Sequence, residues 1–410
     1  MQDKGEILMQ KFLYWFPRRF KERLPYLDLW VIIPYLILSI FGIVMVYSTS
    51  ADFYIQNGIS AKSYLLKQAV WVMVGIVIMM FFFLINKKGF RNKGILKIGA
   101  LVMYAASFFL IFFGSNTNGA TGWIYIGSFG IQPAEYLKLF IILYLSNILS
   151  LHQHRIELGE EISPKVTWSP MVMIGSLILL NFLQHDLGGS TINAAIAIVI
   201  LFAGGKNYRK SVAGIFAGLA AFFILLTTVA SKIDVHTSNY MLQRLVGFAH
   251  PFELSKGAGN QLVNSYYALG NGGIFGVGLG NSIQKKGYLP EANTDFIMSV
   301  IAEELGLIMV VIIISILFVI IFRAIILGTR SSKMYDALVC YGIATYLVVQ
   351  TFFNVGGITG LIPITGVTFP FISYGGSSMM VLSATMGVLL NISASQRQAL
   401  NEQKQIIEED

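Results

Sequence analysis

The chain has 410 residues, of which 55% are hydrophobic and only 12% charged, and its mean hydropathy is +0.68. A soluble protein carries about twice that share of charged residues, so composition excludes a soluble globular protein and favours one integral domain in a membrane. The net charge of +8 lies in short loops between apolar runs and therefore does not indicate nucleic-acid binding. The only cysteine, Cys340, lies in an apolar run, which excludes an intrachain disulfide.

Residues 1–26 form a basic N-terminal segment in front of the first apolar run. Leu8, Phe12 and Phe16 recur at helical spacing, which predicts an amphipathic helix on the membrane surface that ends or kinks at Pro17. The polar lead is too long for a cleavable signal peptide, and no small-residue cleavage site follows the apolar run.

Apolar runs of about 20 residues predict ten membrane-spanning helices, and hence an all-α polytopic membrane protein. The eighth run is too long for one straight span and must tilt or project from the bilayer. The short fifth and sixth runs are separated by the sequence HDLGG, which suggests a tight polar hairpin. The predicted spans lie near 28–48, 65–85, 95–114, 133–151, 168–185, 190–205, 209–230, 296–326, 335–355 and 376–393.

The distribution of lysine and arginine orients these spans. The N-terminal segment, the C-terminal tail and the four even-numbered connections between the spans all fall on one side. All of them are clearly basic except the mixed-charge loop 152–167. The positive-inside rule makes that side the cytoplasm. The integral domain then covers 27–395, the cytoplasmic tail covers 396–410, and the long segment 231–295 lies outside, where its length predicts elements of its own.

Carboxylates at membrane depth are costly and commonly mark function. Asp295 stands directly before the eighth run and has two interpretations: a cap of the following helix, or an ionised general base at an outer cavity. Glu303 and Glu304 lie deeper in the same run, and structural pairing with a basic group is the favoured interpretation for both.

Two further polar clusters fall at outer ends of predicted spans. Glu135 and Lys138 are three residues apart, which allows an ion pair on one helix face or a cation for a phosphate-bearing ligand. Asp186, in the hairpin turn, is another outer carboxylate, but a metal site would need more ligands than Asp186 and His185.

The outer loops contain other candidates. Around Arg244, the residues Met241, Leu242, Leu245 and Phe248 form an apolar stripe that predicts an interfacial helix with one cation near headgroup phosphates. The glycine-rich run 270–280 lacks a βαβ context, so it predicts close backbone approach rather than nucleotide binding. Small polar residues before the last span suit a cavity lip, with a helix start at Ser377 or Ser378.

Taken together, four motifs resemble the SEDS family of cell-shape and division proteins, which includes FtsW, RodA and SpoVE. The motifs are GYLPEANTDFIMSVIAEELG, QPAEYLK, QHDLGGS and FPFISYGGSS, and the resemblance runs from Asp28 to about Arg397. Such proteins are peptidoglycan glycosyltransferases that polymerise lipid II at the outer face of the cell membrane with a class B penicillin-binding protein. The family's essential aspartate falls on Asp295, and its other functional positions match Lys138, Glu135, Asp186, Arg244, Glu304 and Ser377.

Within the family, GNSIQKKGYLPEANTDF and NVGGITGLIPITG are closer to the division branch, FtsW, than to the elongation branch, RodA. One departure concerns the first large outer loop. The family often has a basic residue before its tryptophan, whereas this chain has Ala120, Thr121 and Gly122 before Trp123. The resemblance therefore carries no phosphate-binding role onto this loop.

The resemblance implies a mechanism in which Asp295 deprotonates the acceptor sugar, while Lys138 and Arg244 stabilise the diphosphate leaving group. No cofactor is assigned, and a divalent cation (Mg or Mn) is left open as a further positive charge. The expected partners are lipid II, a class B penicillin-binding protein and other division proteins, without nucleic acid. Alternatives are a lipid II flippase, an elongation polymerase and a pure scaffold for the division complex.

Overall fold

The computed structural model describes residues 18–56, 61–117, 120–127, 129–160, 164–205 and 240–409, together with single positions at 213, 214, 218 and 228. The predicted surface helix before Pro17 lies outside these residues. The predicted seventh span, 209–230, lies outside them too, apart from the four single positions.

Helices dominate the described residues, and nine of the ten predicted spans correspond to helices there. Seven of these helices are long and apolar enough to cross a membrane, and two further apolar helices are shorter. The helices used below are, in chain order, α1 Leu29–Gln56, α2 Ala61–Leu84, α3 Lys93–Phe113, α4 Pro133–Glu157, α5 Pro164–Leu183, α6 Leu187–Ala203, α7 Tyr240–Ala249, α8 Asn260–Gly272, α9 Ile297–Thr329, α10 Met334–Ile358 and α11 Gly376–Glu409. The two shorter apolar helices are α5 and α6, and α7 and α8 lie between the predicted seventh and eighth spans.

Local sequence signals explain several helix boundaries. Asn92 caps α3, where its side-chain oxygen accepts hydrogen bonds from the Gly94 and Ile95 amides. Pro133 occupies the first turn of α4, where its missing N–H costs nothing. The last helix, α11, begins near the predicted start but continues through the predicted cytoplasmic tail to Glu409.

The loop between α3 and α4 contains a small antiparallel sheet that the sequence patterns did not predict. Its strands are β1 Ser115–Thr117, β2 Ala120–Ile126 and β3 Phe129–Ile131, and they lie in the order β1-β2-β3. Ile124 pairs with Ile131 and Tyr125 pairs with Gly130. The Thr121 amide donates to the Gln184 carbonyl at 3.1 Å, which joins the sheet to the turn between α5 and α6.

One end of the helix bundle, here called the basic end, is held together by buried ion pairs. Asp28 is fully buried and accepts from Arg323 Nε at 2.7 Å and from Arg397 Nη2 at 2.9 Å, which joins α1, α9 and α11. Lys87, in the connection between α2 and α3, pairs with Asp336 at the start of α10 at 2.7 Å. The opposite end, here called the cavity end, contains the sheet and the starts of α4, α6, α9 and α11.

The exceptional length of α9 has a structural explanation. Gly306 has a non-helical backbone (φ +77°) that divides α9 into two parts. The segment 273–278, which follows α8, completes the interrupted hydrogen-bond pattern: Val277 N donates to the Glu303 carbonyl and Gly278 N to the Glu304 carbonyl, both at 2.9 Å. α9 is thus two helices joined at a paired break within one long apolar run.

The glycines of this region allow two backbones to touch. A Cβ atom at Gly276 would lie 2.3 Å from the Glu304 carbonyl oxygen, and one at Gly306 would lie 2.3 Å from the Ile274 carbonyl oxygen. Both distances are far below van der Waals contact, so only glycine fits at either position. The prediction that the glycine-rich run permits close backbone approach is confirmed.

Candidate active site

A cavity of about 400 Å³ opens at the cavity end of the bundle. This volume suits a small-molecule site or part of a larger one. Its charged lining residues come from four different parts of the chain, namely α4, the turn after α5, α7, and the loop before α9. They are Glu135, Lys138, Asp186, Arg244, Glu291 and Asp295.

Asp295 is a partly buried carboxylate in the wall of this cavity. It does not cap α9, because the N-cap position is Phe296 and no side chain there accepts a capping hydrogen bond. The capping interpretation of Asp295 is therefore wrong. The backbone is held instead by Asn354 of α10, whose side-chain amide donates to the Asp295 carbonyl at 2.7 Å.

The surroundings of Asp295 change its acidity. Burial raises the pKa of its carboxyl group to about 7, repulsion from Glu291 adds to the increase, and the Arg244 guanidinium opposes it. A carboxylate with a pKa near neutrality combines basicity with a substantial ionised fraction. This combination suits a general base at physiological pH.

Arg244 brings positive charge to the same wall from α7. Its Nη1 donates to the Ile364 carbonyl at 3.3 Å. A Cβ atom at Gly366 would lie 3.4 Å from Asp295 Oδ2 and 3.5 Å from Arg244 Nη1, so this glycine lies next to both charged groups. The helix predicted around Arg244 is present, and its cation lines the cavity.

Glu135 and Lys138 form the predicted ion pair in the first turns of α4. Lys138 is almost completely buried, and its Nζ also lies 5.0 Å from the centre of the Tyr346 ring. The Tyr346 hydroxyl lies 3.4 Å from Glu135 Oε2. Both alternatives raised by the sequence therefore fit, because a structural pair also lines the cavity.

Asp186 caps α6 and faces the cavity. Its carboxylate accepts from the Gly189 amide at 2.7 Å and from Gln132 Nε2 at 3.3 Å. Burial raises the pKa of Asp186, and the Gly189 hydrogen bond acts in the opposite direction. His185 adopts a left-handed backbone (φ +63°) that turns the chain sharply between α5 and α6. The polar hairpin predicted here is confirmed.

The described residues do not assemble a protein-based metal site. No group of three or more histidine, cysteine, aspartate or glutamate side chains is arranged there to hold an ion. The cavity carboxylates Asp186, Glu291 and Asp295 thus do not converge on a common point within this part of the chain, and no metal ligand set can be assigned to them.

Two predicted site residues do not line the cavity. Ser377 is buried at the start of α11, where its hydroxyl accepts from the Gln132 amide and donates to the Gly130 carbonyl, each at 3.1 Å. Glu304 is fully buried near the break in α9 and pairs with Lys285 at 2.8 Å. Pairing with a basic group, favoured for Glu304, is confirmed.

Glu303 differs from that expectation. It is fully buried, but its partners are neutral: the Ser282 hydroxyl, the Asn271 side-chain amide at 2.9 Å and the Ile283 backbone amide at 3.1 Å. Asn271 lies at the end of α8, and Ser282 and Ile283 belong to the segment between α8 and α9. Glu303 therefore fastens the end of α8 and this segment to α9 through neutral partners.

Four aromatic residues, here called the aromatic wall, also line the cavity, and the sequence analysis did not predict them. Trp71 comes from α2, Trp123 and Tyr125 from β2, and Tyr374 from the loop before α11. The Trp71 ring packs edge-to-face against Phe129 at 5.8 Å. The concentration of aromatic residues in the loop 115–132 was the available signal, whereas Trp71 lies within an apolar run and gave none.

Comparisons with known proteins agree with this geometry. The sequence profile of the FtsW/RodA/SpoVE family, described as "Cell cycle protein", matches residues 28–398. The chain is 35% identical to "Probable peptidoglycan glycosyltransferase FtsW" of Lactococcus lactis over 91% of this chain and 93% of that protein. It is also 35% identical to the FtsW protein of Bacillus subtilis, with 94% of each chain covered.

A sporulation protein and two solved structures extend the comparison. The chain is 34% identical to "Stage V sporulation protein E" of Bacillus subtilis, over 90% of this chain and 98% of that one. Its fold matches a chain of a solved peptidoglycan synthase complex with a TM-score of 0.69 at 22% identity, covering 91% and 99% of the two chains. The crystal structure of Thermus thermophilus RodA matches with a TM-score of 0.60 at 22% identity, covering 90% and 96%.

Proposed function

The chain belongs to the FtsW/RodA/SpoVE family of cell cycle proteins, and from this premise we propose that it is a peptidoglycan glycosyltransferase of cell division. Its substrate is lipid II, which it polymerises into glycan strands at the outer face of the cell membrane. Relatives named FtsW, at about one-third identity over nearly the whole chain, support the division role. A class B penicillin-binding protein and other division proteins are the proposed partners.

One observation carries this proposal most directly. Asp295, with a pKa of about 7, faces the same cavity as the cations of Arg244 and Lys138. A glycosyl transfer to a sugar hydroxyl needs a base for the hydroxyl proton and positive charge for a diphosphate leaving group. The cavity supplies both, together with an aromatic wall.

In the proposed reaction, the Asp295 carboxylate accepts the proton of the 4-hydroxyl group of the acceptor sugar. The freed oxygen forms a bond to the anomeric carbon of a lipid-linked MurNAc. The bond between that carbon and the phosphate oxygen breaks, and undecaprenyl diphosphate leaves with the electron pair. Arg244 and Lys138 stabilise its negative charge, which is greatest as the bond breaks.

The two cations differ in their surroundings. Lys138 is paired with Glu135, so part of its charge is already offset. Arg244 donates to a backbone carbonyl and, like Asp295, lies next to Gly366. A divalent cation, Mg or Mn, would have to take its ligands mainly from the substrate phosphates, because the described residues offer no group of three ligands.

The proposed orientation places both termini in the cytoplasm and the cavity outside. Its support is the separation of charge and cavity: Lys87, Lys93, Arg323 and Arg330 lie in or beside connections at the basic end. The positive-inside rule assigns that end to the cytoplasm. Lipid II carried to the outer leaflet would then reach the cavity directly.

Polymerisation of purified lipid II tests the proposed function. The purified protein is assayed alone and with its cognate class B penicillin-binding protein carrying an inactive transpeptidase site, and products are resolved as glycan ladders. Ladders in either arrangement would support the proposal. A different result would favour a flippase function instead. In that case the folded protein would make no ladders in either arrangement but would move lipid II across vesicle membranes.

A further inference from the structure

Asp295 needs support that its own helix does not provide. It stands outside α9, and the N-cap position after it makes no side-chain capping bond. The two preceding residues are fixed by the loop before α11: the Tyr374 amide donates to the Asn293 carbonyl at 2.9 Å and the Ser373 hydroxyl to the Thr294 carbonyl at 2.6 Å. The carbonyl of Asp295 itself is held from a different element.

That element is α10, through Asn354. One nitrogen, Asn354 Nδ2, donates to the Asp295 carbonyl at 2.7 Å and to the Val367 carbonyl at 2.8 Å. The side chain is 3% exposed, so water does not compete for these bonds. A primary amide is the smallest side chain that offers two N–H groups in a planar fork, and aspartate or leucine at this position would lose that pair of donors.

The second arm of the fork extends to the loop 364–367, which contributes Thr365, Gly366 and Val367 to the cavity lining. Val367 follows Gly366, the glycine next to both Asp295 and Arg244, and Arg244 itself donates to the Ile364 carbonyl of the same loop. This loop therefore holds the cation, while the loop before α9 carries the Asp295 carboxylate. Asn354 is bonded to both loops, so it sets how they are placed relative to each other.

We infer that Asn354 is a positioning residue, which fixes the Asp295 carboxylate against the loop that holds Arg244. This inference rests on the proposed function, because it is read out through turnover. It adds a residue that lies behind the cavity wall, outside its lining. An error of about 1 Å in the placement of a reacting group can cost about 100-fold in rate.

The charges around Asp295 make the inference measurable. Arg244 lowers the pKa of Asp295, whereas Glu291 raises it. If Asn354 no longer holds the loop, the Arg244 cation is less firmly placed, and the acid limb of the pH–rate profile should move to higher pH. The other charged groups that face the cavity, on α4 and in the turn after α5, are Glu135, Lys138 and Asp186.

Gln350 offers a matched control. It lies one helical turn before Asn354 on α10, is also buried, and donates from the same kind of amide to the Thr368 carbonyl at 2.9 Å. Its side-chain amide donates to Thr368 and not to Asp295. Gln350→Leu therefore removes a comparable bond to the same loop and leaves the Asp295 arm intact.

The test measures lipid II polymerisation by full-length wild type, Asn354→Leu, Asn354→Ser and Gln350→Leu between pH 5.5 and 9, with thermal unfolding of each sample. We expect Asn354→Leu to lower kcat about 10- to 100-fold with a smaller change in KM. The same variant should move the acid limb of the pH–rate profile to higher pH. Asn354→Ser, which keeps one donor, should be intermediate. Gln350→Leu should lose stability, but its acid limb should stay at the same pH as in the wild type.

Three results would overturn the inference. They are an unchanged acid limb in both Asn354 variants, an equal shift in Gln350→Leu, or failure of both Asn354 variants to fold where Gln350→Leu folds, which would assign Asn354 to stability alone. An inactive wild type would count against the proposed function instead, so the two failures are distinguishable.

Discussion

At the scale of single residues, the carboxylate that stands out is Asp295, which lines the cavity. Most buried charges have close counter-charges, such as Asp28 with two arginines and Glu304 with Lys285. Asp295 differs, because burial and Glu291 hold its pKa near 7. A group in this state is costly to maintain and is typical of functional sites.

The pH dependence of polymerisation should follow this carboxylate. Since the base acts when ionised, turnover should rise with pH through about 7 and fall about tenfold per pH unit below it. Repulsion from Glu291 raises the pKa of Asp295, so Glu291→Gln should lower it and move the acid limb to lower pH. Rate measurements from pH 5 to 9 test this, and a limb that stays in place or moves upward would contradict the assigned cause.

The Lys285–Glu304 pair should behave as a structural element. Removing one partner of a buried pair leaves an uncompensated charge and costs about 3–5 kcal/mol, so Lys285→Met and Glu304→Leu should each lower the unfolding temperature sharply. The double variant should recover much of that loss and remain active. Thermal unfolding and polymerisation assays test this prediction. A stable but inactive double variant would instead favour the substrate-binding role implied by the family resemblance.

The sequence revealed a site residue when that residue contrasted with its neighbours along the chain. Asp295, Lys138 and Asp186 are charged groups next to apolar runs, and this contrast is visible in one dimension. Asn354 and Trp71 are unremarkable within their runs, and their importance comes from partners more than 50 residues away or from the opposite wall. Such contacts exist only after the helices have packed.

At the scale of elements, the pairing of α9 with the segment after α8 shapes the cavity end. The break at Gly306 leaves backbone groups without partners inside the bundle, and the segment 273–278 supplies those partners. Unpaired backbone groups cost several kcal/mol in a membrane interior, so the two elements stabilise each other. The loop that ends at Asp295 continues from this paired segment.

Glycine substitutions should separate close approach from simple helix propensity. Gly306→Ala requires a positive φ of an alanine and places Cβ 2.3 Å from a carbonyl oxygen, so it should cost at least about 1–3 kcal/mol. Gly270→Ala, inside α8 with nothing within 4 Å, should be neutral or stabilise by up to about 1 kcal/mol. Thermal unfolding of both variants tests this, and equal effects would contradict the pairing account.

The sequence predicted the anomaly of α9 but not its form. A run too long for one span was evident from composition, and so were the glycines of 270–280. The pairing between this run and the glycines was not evident from the sequence, because Gly306 interrupts the helix only where another backbone is available to pair with it. For the same reason the small sheet between α3 and α4, which is joined to the turn after α5, was absent from the prediction.

At the scale of the whole molecule, the two ends of the bundle have different tasks. The basic end is closed by ion pairs that join α1, α9 and α11 around Asp28. The cavity end is assembled from loops and helix starts and is open to a ligand. Rigid closure at one end and an accessible site at the other suit an enzyme that works at one face of a membrane.

The proposed orientation can be tested by cysteine labelling. Cys340 is fully buried, so background labelling of the wild type should be low. In intact cells, a membrane-impermeant maleimide should label Glu253→Cys, an exposed position between α7 and α8, but not Ser332→Cys between α9 and α10. Permeabilised cells should label both. The reverse pattern in intact cells would invert the orientation and place the cavity in the cytoplasm.

The most direct test of the account is polymerisation of purified lipid II by the wild type and Asp295→Asn, each confirmed as folded by thermal unfolding. Glu253→Gln serves as a matched control, because this exposed carboxylate belongs to the same stretch between α7 and α9 but lies outside the cavity. The account predicts glycan ladders from the wild type and Glu253→Gln, and a loss of about 100-fold or more in Asp295→Asn. A folded Asp295→Asn protein that makes ladders at the rate of the wild type would contradict it.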